Sequence, residues 1–259
     1  MELQTLHGFR DELEKIAKRR KTEKAPERTD GQRILGGLGG GAAVLGANTA
    51  GALGGMKMMH DPAQRWTEPS IQNMAQQMGH KGPLGVSMPE RMNWTDPMTQ
   101  PHYRPAGMMG EANPVVNIPQ GTHASAAAHE VGHAINHERW GKVIGRKNLG
   151  MLSGTLANKV GIPSAIGTSV YAGGADKPSY VPALANAAIW APRMADEGMA
   201  SARAAKYLMK QHGLMKGLGK SMPLAPAFAS YGALAGTPLA ITAIRRHRLA
   251  KQQEAMAGA

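Results

Sequence analysis

His129-Glu130-Val131-Gly132-His133 is the stretch on which the reading of this chain rests. On an α-helix, positions i and i+4 share a face, so both imidazoles can offer a ring nitrogen to one ion. Glu130, beside the first histidine, is placed to act on a metal-bound water rather than on the metal. A pattern this short arises by chance in roughly 2% of chains of this composition, so the flanking sequence has to decide.

The flanks point to strand, turn and helix. Residues 113–119, Asn-Pro-Val-Val-Asn-Ile-Pro, form a short β-prone run bounded by Pro114 and Pro119. Proline is tolerated in edge strands and not in central ones, so an edge strand is expected, able to hold an extended substrate by strand addition. Gly121-Thr122 breaks the chain, and Ala124-Ser125-Ala126-Ala127-Ala128 leads into the motif with strong helix formers. Ala127, Val131, Ala134 and Ile135 make an inward face, while Ala126, His129, Glu130, His133 and His137 lie on or near the other. The competing reading is an alanine-rich helix with two solvated histidines.

A catalytic zinc site needs a third protein ligand and an open position for water. The chain has no cysteine, which excludes thiolate sites and disulfides. A third histidine six residues after the second, with a glycine between, is also excluded, since those positions hold Arg139 and Asn136. His137 lies two helical turns from His129, roughly 12 Å along the axis, too far to share one ion with both others. A carboxylate from a later helix remains, and the acidic residues after Glu138 are Asp176, Asp196, Glu197 and Glu254. Of these, Asp196-Glu197 opens a segment, 197–210, rich in helix-forming Ala, Met, Lys and Leu.

Residues Ala126 to Ile135 resemble the active-site helix of the YugP-like family of membrane-embedded neutral zinc metallopeptidases. That family carries a downstream Glu-x-x-Ala-Ser-x-Arg-Ala element, which Glu197-Gly198-Met199-Ala200-Ser201-Ala202-Arg203-Ala204 matches. The resemblance covers about residues 113–245 and implies a gluzincin-like set: His129, His133 and Glu197 as zinc ligands, with Glu130 as general base. Ser201, one turn after Glu197, is placed to orient that carboxylate, and Arg203 is read as a structural or surface residue. The run from Pro192 to Asp196 departs from the family's, which keeps Asp196 as an alternative ligand. The apolar segments use Gly and Ala where the family uses large aliphatics.

Composition frames the rest. Aromatic residues are 4% of 259, against 33 glycines and 18 methionines, so close helix packing through small residues is expected. Residues 34–56 and 221–244 are uncharged and long enough for a span of about 20 residues. The first carries glycine pairs at four-residue spacing (Gly36 and Gly40, Gly37 and Gly41, Gly51 and Gly55), and the second ends at Arg245-Arg246-His247-Arg248, a basic stop of the cytoplasmic kind. Buried glycine-rich segments of a soluble, cytoplasmic protein are the rival reading. A conventional signal peptide is not expected, because 33 charged-rich residues precede the first apolar run.

The chain therefore divides into an amphipathic charged helix and linker (1–33), a Gly-rich apolar segment (34–59), a polar Pro- and Met-rich loop region (60–112), a metallopeptidase core (113–220), and an apolar segment with a basic tail (221–259). In the first part Leu3, Leu6, Phe9, Leu13 and Ile16 form a helical stripe. The net charge of +12 is spread out: residues 1–33 have 9 basic and 7 acidic groups (+2), residues 245–259 have 4 and 1 (+3), and +7 is scattered between. Without a compact basic stripe, a specific nucleic-acid site is not expected, whereas an anionic membrane surface is a reasonable partner.

The combined expectation is a mainly α, zincin-like, membrane-associated zinc endopeptidase acting on peptide or protein substrates. Tyr171, Tyr180, Tyr207, His123 and His212 are the candidates to stabilise the oxyanion. Two other classes compete: a Gly-rich membrane or assembly protein with a vestigial site, and a basic scaffold for anionic polymers.

Overall fold

The computed structural model describes residues 28–93, 96–107, 111–145, 156–157 and 159–258. The amphipathic stripe expected at Leu3–Ile16 lies outside them. The described chain is mainly α, with seven α-helices and one small sheet among these residues.

Helix α1 (Asp30–Met58) starts at Thr29, whose side chain accepts from Gln32 N while Gln32 reaches back to Thr29 N; Asp30 and Lys57 complement the dipole at its two ends. Helix α2 (Glu68–Met78) is capped in the same way by Thr67 and Ser70, and ends at Gly79 in the left-handed conformation. Strands β1 (Gly85–Ser87), β2 (His102–Arg104) and β3 (Val115–Asn117) follow. Next come α3 (Ala124–Trp140), with a π-helical turn at Gly141–Gly145, and α4 (Ile162–Gly174). Helices α5 (Tyr180–His212), α6 (Leu214–Ser221) and α7 (Leu224–Gly258) complete the chain.

Two sequence expectations change here. Residues 60–112 are not simply loop: they supply α2, β1 and β2, and Ile71, Met74 and Ala75 of α2 are buried in the core. The strand expected at the sheet edge is central instead, in the order β1-β3-β2, with β3 parallel to β1 and antiparallel to β2. Pro114 and Pro119 fall outside the paired residues Val115–Asn117, so neither ring removes a ladder donor. The edges belong to β1 and β2.

The helices bury two cores. In the first, Val131 and Ile135 of α3 meet Ile71 and Met74 of α2, Val116 of β3 and Ile118 just after it. In the second, Val44 of α1, Ala165 of α4, Trp190 of α5 and Leu234 of α7 pack together. Helix α5 is long enough, at 33 residues, to enter both, because it continues through Pro192 instead of starting after it. A helix-interior proline costs one backbone hydrogen bond, and packing on both sides compensates.

The glycine spacing of α1 has a packing cause. A Cβ at Gly40 would lie 2.2 Å from Ser169 O of α4, and one at Gly173 would lie 2.0 Å from Gly36 O. At the outer end, arginines cap the turn between α4 and α5: Arg28 donates to Gly173 O, Arg245 to Ala175 O, and Arg33 pairs with Asp176 at 2.6 Å. Among the described residues α7 is the one helix long and apolar enough to cross a membrane. The 34–56 run is helical but falls short of that hydropathy.

The α1–α4 contact is testable by adding single methyl groups. Gly40→Ala should destabilise the fold by about 1–3 kcal/mol, as overpacking does. Gly39→Ala, which meets nothing within 4 Å, should stabilise it by about 0.4–1 kcal/mol. Denaturant unfolding of the two variants beside the parent reads both, and equal effects would contradict this packing.

Candidate metal centre

Helix α3 begins at His123, whose side chain accepts from Ser125 N, and its alanine-rich first turns are buried. The motif therefore sits inside the molecule. His129 and His133 are both buried, one turn apart, on the side facing α5. Gly132 lies between them on the helix surface, where a Cβ would come within 2.8 Å of both Cα and O of Ala200. Only a hydrogen at position 132 lets the α5 backbone approach this closely, and that approach brings Glu197 within reach of the imidazoles.

Three ligand atoms converge. His129 Nε2 is 3.0 Å from Glu197 Oε2 and 3.0 Å from His133 Nε2, and His133 Nε2 is 3.6 Å from Glu197 Oε2. Four ligands at about 2.0–2.1 Å around a tetrahedral ion stand about 3.3 Å from one another. The triangle thus has the dimensions of three corners of such a site. Two imidazole nitrogens and a carboxylate oxygen are a donor set for a first-row divalent metal. His129, His133 and Glu197 can hold one.

Each ligand is also held from behind. His133 Nδ1 donates to Asp196 Oδ2 at 3.0 Å, and His129 Nδ1 meets Ser201 Oγ at 3.1 Å, so both Nε2 atoms face the shared point. Asn136 fastens Asp196, donating to its Oδ1 at 2.9 Å and its carbonyl at 3.0 Å, and Arg203 Nε donates to Asn136 Oδ1 at 2.9 Å. On the other side Arg193 pairs with Glu197 Oε1 at 2.5 Å and donates to the Tyr231 hydroxyl of α7 at 3.1 Å. The arginine also lies over the Tyr231 ring, 5.1 Å from its centre.

Electrostatics follow from this packing. Burial disfavours charge on His133, but Glu197 and Asp196 outweigh it and hold its pKa well above the usual histidine value. Burial also works against ionisation of Glu197; His133, His129 and Arg193 overcome it, and its carboxyl is kept well below the ordinary range. Asp196 is lowered for the same kind of reason: burial is outweighed by His133 and Asn136.

The expected residues are placed with some changes of role. Asp196, the alternative ligand, stands behind His133. Ser201 supports His129 rather than Glu197. Arg203 braces the site through Asn136. Of the oxyanion candidates, Tyr171 accepts from Ser179 N and Tyr180 lies under Arg246, both at the outer end of the bundle. His123 caps α3, Tyr207 packs on the first core, and His212 is exposed at the end of α5. Arg193 and Tyr231 were missed, because nothing local in sequence links a tyrosine on α7 to a carboxylate on α5. The order Arg-x-x-x-Glu at 193–197 was the one available signal, since i and i+4 share a face.

Compared with known proteins, the chain matches no family model, no curated protein and no solved structure.

Metal uptake tests the centre. Glu197→Ala should fall from about one bound divalent ion per chain to almost none by elemental analysis. Asp196→Asn should keep the ligands but lose about 10–100-fold in affinity. The pH dependence has a definite sign. Below its raised pKa His133 carries a proton that a metal must displace, so affinity should keep climbing with pH above the ordinary histidine range and level off once that proton is gone. Titrations at several pH values showing no such rise would contradict the arrangement.

Proposed function

We propose that this chain is a zinc-dependent peptidase, with His129, His133 and Glu197 as metal ligands and Glu130 as general base. The observation that carries the reading is the convergence of those three ligand atoms at 3.0–3.6 Å. Bound there, zinc would supply Lewis acidity, acidifying a water and polarising a peptide carbonyl.

The remaining work falls to the chain's own residues. Glu130, half-buried next to His129, accepts the proton of the attacking water and returns it to the leaving amine. Asp196 and Ser201 keep both imidazoles turned so that Nε2 faces the metal position. Arg193 occupies the second oxygen of Glu197, leaving Oε2 for ligation. The Tyr231 hydroxyl, already accepting from Arg193, retains its own proton to donate to an oxyanion.

The reading extends to location. Helix α7 has the length and hydropathy of a span, and Arg245, Arg246 and Arg248 follow its apolar part. Leu35, Leu38 and Leu45 of α1 are exposed beside it. These features support a membrane-associated enzyme whose apolar helices meet lipid.

Glu130→Gln separates binding from chemistry. The variant should take up zinc like the parent and hydrolyse peptides about 10²–10⁴-fold more slowly, as loss of a general base does. Mass spectrometry of a digested peptide mixture, with metal content measured on the same samples, supplies both readouts. Undiminished hydrolysis would refute the role of Glu130. A zinc-loaded parent that cleaves nothing would favour the vestigial-site alternative.

A further inference from the structure

A cavity of about 180 Å³ lies one turn further along α3 than the second imidazole. Its walls include Ala134, His137 and Glu138 of α3 and Tyr103 of β2. The Tyr103 ring stacks on His133 at 6.5 Å between centres and meets the edge of His137 at 4.9 Å. One ring thus flanks a ligand of the metal centre and forms a wall of the cavity. The cavity serves none of the chemistry described above.

The rest of the lining is largely apolar, with Pro83, Pro105 and Pro114 prominent. The anionic group is Glu138, whose side chain is 18% exposed; its Oε2 accepts from Lys81 N at 3.1 Å and lies 3.8 Å from His80 Nε2. Volume alone does not decide the occupant, since a leucine, a phenylalanine or a lysine side chain fits. Charge does. A carboxylate ligand would meet Glu138 head on, and an apolar one would take water from its carboxylate while adding nothing to the Lys81 N–H and His80 beside it. A lysine or arginine can lay its methylenes along proline and alanine and bring its charge to Glu138.

We infer that this cavity is a substrate pocket for a basic side chain, with Glu138 as the residue that selects it. The inference rests on the peptidase reading and names the substrate class. The reach is suitable: His133 to His137 spans about 6 Å of helix, and an extended peptide advances about 3.3 Å per residue. The basic residue therefore sits one or two positions from the scissile bond.

The test uses binding, so that it does not depend on turnover. Peptidyl hydroxamates, anchored on the zinc of the loaded protein, carry lysine, leucine or glutamate at each of three positions in turn, and calorimetry gives each affinity. At one position lysine should bind about tenfold tighter than leucine, and glutamate weakest. Glu138→Gln should erase most of that preference with zinc content unchanged, and Ala106→Leu, which narrows the cavity from another wall, should weaken the lysine compound selectively. Equal affinities, an apolar preference, a lysine preference that survives Glu138→Gln, or no binding at all would overturn the pocket. Failure of the peptidase reading shows separately, as a parent protein that ranks the hydroxamates in this order yet cleaves no peptide.

Discussion

The contact between α3 and α5 at Gly132 and Ala200 is the constraint from which the site follows. The two backbones come so close that a methyl group at 132 would touch the Cα and carbonyl of Ala200. At that separation Glu197, one turn before Ser201, reaches both imidazoles, and Asn136 reaches Asp196 one turn beyond His133. Side chains two or three bonds long then suffice to close the site. A wider crossing, set by any larger residue between the two histidines, would leave the carboxylate short of the shared point.

Close approach also buries charge, and buried charge persists only when partnered. The site answers this by giving its buried carboxylates partners of opposite sign or hydrogen-bond donors. Asp196 is held by His133 and Asn136, and Glu197 by His129 and Arg193. Arg193 is in turn held by Tyr231. Breaking such a pair by deleting one partner costs about 3–5 kcal/mol, more than losing a surface ion pair would. Rigidity at the candidate ligands and their partners therefore comes from the same network, which ties α7 to the site through Arg193 and Tyr231.

Much of this was legible from local pattern. The helical spacing of the two histidines placed them together, and the scarcity of acidic residues after Glu138, with the Glu-x-x-Ala-Ser-x-Arg-Ala resemblance, singled out Glu197. The illegible parts depend on how the helices are rotated against one another. Asp196 and Glu197 are adjacent in sequence, yet one stands behind an imidazole and the other beside the ligand atoms. Strands β1 and β2 have three residues each, too few for an alternating pattern to show, and so 60–112 read as loop. Flanking prolines implied an edge strand, but they stop just outside the pairing. The helix expected to open at Asp196-Glu197 begins instead at Tyr180 and runs through Pro192, with Trp190 in one core and Ala204 in the other.

Two imidazoles and one carboxylate oxygen are placed to meet at a common ion. X-ray absorption at the zinc edge of the loaded protein measures this most directly. A light-atom shell at about 2.0–2.1 Å with the outer scattering of two imidazoles is expected, reduced to one imidazole in His133→Ala. A spectrum lacking paired imidazole scattering, or one unchanged by His133→Ala, would contradict it.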